Sequence, residues 1–85
     1  MVQLLIHYYV ALQGKIQEAQ DQFSEVVRLR PAYALGHLNL GVALVKQGRI
    51  DDAQVQFLET LRLDPKNKLA QEHLETIQLL KSRSR

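Results

Sequence analysis

The 85-residue chain contains no cysteine and no tryptophan, only two prolines and four glycines, and 6% aromatic residues. Without cysteine it forms no disulfide and no thiolate metal site. Cysteine usage therefore does not indicate whether the protein works in an oxidising or a reducing compartment. A single domain of this length is close to the size at which one hydrophobic core gives only marginal stability. Helix propensity, apolar packing and self-association are therefore the means left to stabilise the fold.

The chain also lacks an extended basic surface. Net charge is +2, and the excess lies at one end, where Lys81, Arg83 and Arg85 fall within the last five residues. A nucleic-acid-binding domain is expected to carry a basic stripe along its folded face. We therefore predict no nucleic-acid partner, and we expect residues 81–85 to form a disordered basic tail.

The apolar run near the start of the sequence, residues 2–12, has no basic residue before it and no small-residue cleavage site. These features argue against a signal peptide. The run is also shorter than the ~20 residues that a membrane-spanning helix needs. We expect no membrane contact and a cytoplasmic location.

The sequence is similar to itself at an offset of 34 residues, which indicates a repeat architecture. Identical residues occur at Leu4/Leu38, Gln13/Gln47, Gly14/Gly48, Ile16/Ile50, Ala19/Ala53, Gln20/Gln54, Gln22/Gln56, Phe23/Phe57, Glu25/Glu59, Arg28/Arg62, Leu29/Leu63 and Pro31/Pro65. The repeat predicts two units, 1–33 and 34–67, followed by a single helix at 67–80.

Glycines and prolines divide each unit into two helices. Gly14 and Gly48 are placed to end the first helix, since glycine adopts the left-handed conformation without steric cost. Pro31 and Pro65 are placed to end the second, because proline disfavours helical geometry in the preceding residue. With the helical spacing of the apolar residues, these features predict five helices at about 2–13, 17–29, 33–46, 51–63 and 67–80.

Two polar residues are predicted to cap helices. Asp51, with Gln54 three residues later, has the pattern of a capping box. Asn67 is the predicted N-cap of the last helix. That helix has a polar face opposite its apolar stripe, which is typical of the capping element at the end of a repeat array.

The sequence resembles the tetratricopeptide repeat family. Its signature is an aromatic, Leu-Gly and a second aromatic in the first helix, then Ala-x3-Phe and Pro in the second. The second unit has His37, Leu40, Gly41, Leu44, Ala53, Phe57 and Pro65 at these positions, and the first has Gln3, Ile6, His7, Val10, Ala19, Phe23 and Pro31. The resemblance implies an all-α, right-handed helix-turn-helix solenoid of about two and a half units, forming one domain over 1–80. Because the first unit has His7 at the position that Gly41 takes in the second, we expect the first helix pair to be splayed or shifted.

Side chains suited to catalysis or metal binding are scattered. His7, His37 and His73 fall at different positions of their units, and none has a second histidine or an acid at the i, i+4 spacing of a helical zinc site. Ser24 lies in a predicted helix without a glycine-rich elbow, and Tyr8, Tyr9 and Tyr33 are not interleaved with basic residues as a base-stacking surface would be. We predict no catalysis, no metal and no cofactor, and we interpret His37 as a packing residue.

The resemblance also implies a concave groove, lined by the first helix of each pair, that binds a peptide or a partner helix. The corresponding positions are Leu4, Tyr8, Leu12, Leu35, Leu38, Asn39, Val42, Val45, Lys46, Leu69, His73 and Thr76. Family members that bind chaperone tails have lysine, arginine and asparagine at several of these positions, and only Asn39 matches here. We therefore predict a protein-interaction module or scaffold with a mostly apolar groove.

The first predicted helix has almost no polar face, and such a helix is normally buried on all sides. Either the chain is part of a longer array, or a second copy covers the helix, or the helix exposes scattered apolar residues. We favour a dimer formed through Val2, Leu5, Tyr9 and Leu12. In a variant of this dimer, the two chains exchange the first helix, and residues 13–15 form the hinge. The alternative function is that of a C-terminal structural fragment, or a regulatory appendage of a larger repeat protein, with no ligand of its own.

Overall fold

The computed structural model describes residues 2–83, and these form four α-helices. The helices are α1 (Val2–Leu29), α2 (Ala34–Lys46), α3 (Ile50–Leu63) and α4 (Lys68–Arg83). Neighbours in sequence pack on one another, α1 on α2, α2 on α3 and α3 on α4. The predicted all-α class and helical-repeat architecture are confirmed.

The core lies mainly between α2 and α3 and extends to α4. Its buried members are Leu38, Leu40, Leu44, Ala53, Phe57, Ala70 and Ile77. Phe57 is fully buried, with its ring against the backbone of Gly41: a Cβ built on Gly41 would lie 2.6 Å from Cε1 of that ring. The absence of a side chain at Gly41 is what lets α2 and α3 approach closely.

The turn between α2 and α3 depends on Gly48, whose φ of +77° lies in the left-handed region that favours glycine. The N–H groups of Gly48 and Arg49 donate to the carbonyls of Val45 and Leu44, each at 2.9 Å, and so satisfy the end of α2. The prediction that Gly48 ends a helix is confirmed.

The two prolines also lie where the sequence predicts. Pro31 and Pro65 each follow the last helical residue, Leu29 or Leu63, by two positions. The loop after α1 is closed by a hydrogen bond from the Tyr33 N–H to the Arg30 carbonyl, at 3.0 Å.

The prediction of five helices was wrong around Gly14. This residue lies inside α1, and nothing comes within 4 Å of its Cβ position. The segments 2–13 and 17–29 therefore form one continuous helix and not a hairpin.

Steric fit explains the difference. In a hairpin built like α2–α3, His7 would take the position of Gly41 and face Phe23, the counterpart of Phe57. A Cβ alone is already too close at that position, so an imidazole does not fit. The first pair is therefore not splayed, as predicted, but absent, because its two segments lie in one helix.

Helix propensity also favours one continuous helix through Gly14. After Gly14 the chain has Gln17 and Glu18, where the second unit has Asp51 and Asp52. Glutamine and glutamate favour a helix interior more than aspartate does. The helix therefore continues through Gly14, although glycine costs it up to about 1 kcal/mol relative to alanine.

One of the two predicted caps is confirmed. Asn67 Oδ1 accepts a hydrogen bond from the Ala70 N–H at 2.9 Å. The prediction for Asp51 was wrong, because α3 begins one residue earlier, at Ile50, and its N-cap Arg49 makes no side-chain cap bond. Asp51 instead lies in the first turn, where a negative charge interacts favourably with the helix dipole.

The predicted disordered tail also needs correction. Residues 81–83 belong to α4, and Lys81 Nζ lies 2.8 Å from the Asp51 carboxylate, which joins α4 to the start of α3. Residues 84 and 85 lie outside the described part of the chain.

Candidate functional site

An open cavity of about 320 Å³ lies between α2 and the second half of α1. It is lined by Lys15, Ile16, Ala19 and Phe23 of α1 and by Asn39, Val42, Ala43 and Lys46 of α2. Most of this lining is apolar, and two lysines and an asparagine add hydrogen-bond donors. Ligand pockets measure about 300–1,000 Å³, so this cavity lies at the lower end of that range.

The cavity is open because α1 continues through Gly14 as one helix. Ala19 and Phe23 correspond to Ala53 and Phe57, which are fully buried beneath α2. The repeat would place segment 2–13 over Ala19 and Phe23, but this segment continues α1 instead. Both side chains are therefore only partly buried.

Three of the predicted groove residues, Asn39, Val42 and Lys46, line this cavity. Leu38 does not belong to a groove, because it lies in the core and is only 4% exposed. Val45 also packs against the core.

The other predicted groove residues lie elsewhere. Leu4, Tyr8 and Leu12 are exposed on segment 2–13, Leu35 is exposed at the start of α2, and Leu69, His73 and Thr76 are on α4. The His73 ring stacks on Phe57, with ring centroids 4.6 Å apart. The twelve residues therefore do not form one continuous groove.

Sequence reasoning missed the α1 wall of the cavity. The predicted hairpin places Lys15 and Ile16 in its turn and Ala19 and Phe23 in its second helix. The sequence feature that reveals them is His7 at the position of Gly41, because a pair that cannot close leaves its second helix uncovered.

A second exposed surface is segment 2–13 of α1, which holds the residues predicted for self-association. Val2 and Leu5 are each 69% exposed, Tyr9 is 61% and Leu12 is 41% exposed. Leu4, Ile6, Tyr8 and Val10 on the same segment are also more than half exposed. The exposed large apolar residues are therefore concentrated on this segment.

The side chain of His37 connects two parts of the fold. It is 7% exposed, and its Nδ1 and Nε2 lie 2.9 Å from Gln56 Oε1 and 2.8 Å from the Pro31 carbonyl oxygen. The ring therefore ties the loop after α1 to α3. Within residues 2–83, no three side chains of His, Asp or Glu come together as a metal site would require.

Ion pairs recur at equivalent positions of the two units, away from the cavity lining. Arg28 Nε donates to Glu25 at 3.1 Å, and Arg62 Nε donates to Glu59 at 2.9 Å. These hydrogen bonds lower the pKa of both carboxyl groups below the usual range. The two units therefore repeat a surface ion pair as well as their apolar residues.

Across the described helices, none is both long enough and apolar enough to cross a bilayer. In comparison with known proteins, a family model described as Tetratricopeptide repeat matches residues 11–79. The match covers α2, α3 and most of α1 and α4, and most of segment 2–13 lies outside it. No curated protein matches the chain.

Proposed function

Because this chain belongs to the tetratricopeptide repeat family, whose repeats typically form non-catalytic modules of protein–protein interaction, we propose that it binds an apolar peptide or partner helix in the cavity between α1 and α2. The observation that carries this proposal is the uncovered α1 wall. Ala19 and Phe23 present apolar surface that their counterparts in the second unit bury completely. The proposed role involves no catalysis, no cofactor and no nucleic acid.

The lining indicates the chemistry of the ligand. Burying one leucine-sized side chain stabilises a complex by about 1.5–3 kcal/mol, whereas an exposed ion pair contributes about 0–1 kcal/mol. The apolar contacts with Phe23 and Val42 would therefore provide most of the affinity. Lys15 and Lys46 would favour a ligand with a carboxylate beside its apolar side chain.

Labelled peptides test this proposal by fluorescence anisotropy. Each peptide has a central leucine or phenylalanine, flanked by glutamate, by serine or by lysine. We expect the glutamate set to bind most tightly and to lose affinity as salt is added, because salt screens exposed charges.

A matched pair of variants locates the site. Val42→Glu places a charge in the cavity and should abolish binding, while Val55→Glu, at a 60% exposed position of α3, should leave it unchanged. Equal effects of the two variants would place the site elsewhere. If none of the peptides binds the unaltered chain, the alternative of a structural or regulatory element without its own ligand is favoured.

A second function, self-association, is favoured by the exposed apolar surface of segment 2–13. Closed dimers are the commonest soluble homo-oligomers. Light scattering of the purified chain should give the mass of two copies, 9.8 kDa each. A mass of one copy at every concentration would contradict this function.

A further inference from the structure

We propose that two copies of the chain pair through segment 2–13 of α1 in antiparallel orientation, with Leu5 packing against the partner's Tyr9 and Val2 against the partner's Leu12. This inference rests on the proposed self-association and specifies its partner surface and register. It is independent of peptide binding in the cavity between α1 and α2.

The spacing of apolar residues along α1 is that of a coiled coil. Alternating steps of three and four residues link Val2, Leu5, Tyr9, Leu12, Ile16, Ala19, Phe23 and Val26. This is the heptad pattern that places one apolar seam along a helix for packing against another helix. The seam runs through Gly14 without a break because α1 is continuous.

The second half of this seam already faces a helix of the same chain. Ile16, Ala19, Phe23 and Val26 are all partly buried, whereas Val2, Leu5, Tyr9 and Leu12 are exposed. The helix that packs beside the second half, with the cavity between them, is α2. A Cβ built on Gly36, near the start of α2, would lie 3.1 Å from Cγ1 of Val26, and Lys46 at its end shares the cavity with Ile16.

These contacts show that α2 runs antiparallel to α1 and ends near residue 15. A helix that covers the first half of the seam can therefore continue the line of α2 in the same direction. Segment 2–13 of an antiparallel partner has that direction, and its own seam faces the exposed one. The two halves of the seam would then form one continuous interface.

One two-fold axis satisfies both proposed contacts. Residues 2 and 12, like residues 5 and 9, are equally distant from position 7 along the helix. An axis at that level therefore pairs Val2 with the partner's Leu12 and Leu5 with the partner's Tyr9. The partner's Val2 then lies opposite Leu12, whereas α2 ends near residue 15 of α1. The partner segment and α2 therefore do not overlap.

Charge and area also favour a second copy as the occupant. No Asp, Glu, Lys or Arg occurs from Val2 to Gln13, so the pairing desolvates no charge, whereas a charged partner would lose hydration without gaining an ion pair. The four seam residues with Ile6 and Tyr8 offer on the order of 100 Å² each, about 600 Å² per chain, which reaches the lower end of specific interfaces.

Disulfide trapping tests the register, and the absence of native cysteine makes each added thiol unique. Full-length Leu5→Cys and Tyr9→Cys chains, one carrying a mass tag, are oxidised alone and as a mixture. The proposal predicts a mixed disulfide dimer as the main product of the mixture and little dimer from either chain alone. His7→Cys lies off the seam and should not cross-link.

Charge substitutions measured by light scattering complete the test. Leu5→Glu with Tyr9→Glu should convert a dimer into a helical monomer, whereas Gln3→Glu with Val10→Glu adds the same charge off the seam and should remain dimeric. Efficient cross-linking of Leu5→Cys alone would indicate parallel pairing and overturn the proposal. A monomeric or tetrameric mass of the unaltered chain would also overturn it. Peptide binding in the cavity is measured on the same variants, and its retention or loss is a separate result.

Discussion

The ring of Phe57 lies directly against the backbone of Gly41. A Cβ added to Gly41 would be 2.6 Å from Cε1 and 2.9 Å from both Cδ1 and Cζ of that ring. Phe57 is itself fully buried, so it has little freedom to move aside. This contact lets α2 and α3 approach closely, and the first unit cannot repeat it because His7 stands at the position of Gly41.

The first prediction concerns the methyl group that this contact excludes. Gly41→Ala should destabilise the fold, because overpacking a core typically costs about 1–3 kcal/mol. Alanine also improves helix propensity by up to about 1 kcal/mol. Gly14→Ala, which has open space around it, measures that gain alone. Urea denaturation gives the free energy of unfolding of both variants. If Gly41→Ala is as stable as Gly14→Ala, Gly41 is not a packing constraint.

The second prediction compares the two equivalent phenylalanines. Phe57→Ala should cost about 3–5 kcal/mol, the range for a fully buried aromatic side chain. Phe23→Ala should cost clearly less, because Phe23 is only partly buried beside the open cavity. Thermal or urea unfolding provides the values. Similar losses at both positions would mean that Phe23 is covered in solution, as a closed first hairpin requires.

Sequence patterns predicted the second unit well because its local and tertiary requirements agree. Gly48 is a helix-ending residue by propensity and also has a left-handed backbone in the structure. Pro65 ends α3, and Asn67 caps α4 through its side chain. In each case the cause lies within a few residues of the effect.

The first unit could not be predicted in the same way. Gly14 and Gly48 have nearly identical neighbours, Gln-Gly-Lys-Ile and Gln-Gly-Arg-Ile. Their different conformations depend on whether the preceding helix fits against the following one, and His7 decides that from seven residues away. The sequence indicated a disturbed pair at His7 but not its full consequence, an uncovered α1.

The candidate site was predicted in part for the same reason. Asn39, Val42 and Lys46 are predicted groove residues that line the cavity, because α2 packs on α3 as the repeat predicts. The facing wall of Ile16 and Phe23 was not predicted, since alignment to the repeat gives Phe23 the fully buried position of Phe57, and only His7 at the position of Gly41 signals otherwise.

The third prediction concerns helix capping. Asn67→Ala should cost about 0.5–2 kcal/mol, because it removes the acceptor for the Ala70 N–H. Asp51→Ala should cost less, since Asp51 makes no cap bond and its pair with Lys81 is largely exposed. Urea denaturation of the two variants checks the order. A larger loss at Asp51 would restore the capping box suggested by its sequence.

The fourth prediction follows from the lowered pKa values of Glu25 and Glu59. A carboxyl group whose pKa is lower in the folded state stabilises the fold above its unfolded pKa, and loses that contribution as pH falls through the folded value. The double variant Glu25→Gln/Glu59→Gln should therefore lose less stability between pH 5 and pH 2 than the unaltered chain, within the carboxyl titration range. Melting temperatures measured across this range test it, and identical pH profiles would contradict the assignment.

The last prediction separates the two repeat-related glycines by backbone conformation alone. Nothing lies within 4 Å of the Cβ position of either Gly14 or Gly48, so an added methyl group meets no neighbour in either case. Gly48 has a φ of +77°, whereas Gly14 is helical. Gly48→Ala should therefore lose about 1–2 kcal/mol from left-handed strain, while Gly14→Ala should gain about 0.5–1 kcal/mol from helix propensity.

Urea denaturation and the helical circular dichroism signal of the two variants provide the measurement. The opposite signs are the decisive feature, because both substitutions add the same methyl group to the same local sequence. A loss of stability in both variants would show that Gly14 adopts the left-handed turn in solution. Segment 2–13 would then fold back over Phe23, and both the open cavity and the extended seam of α1 would disappear together.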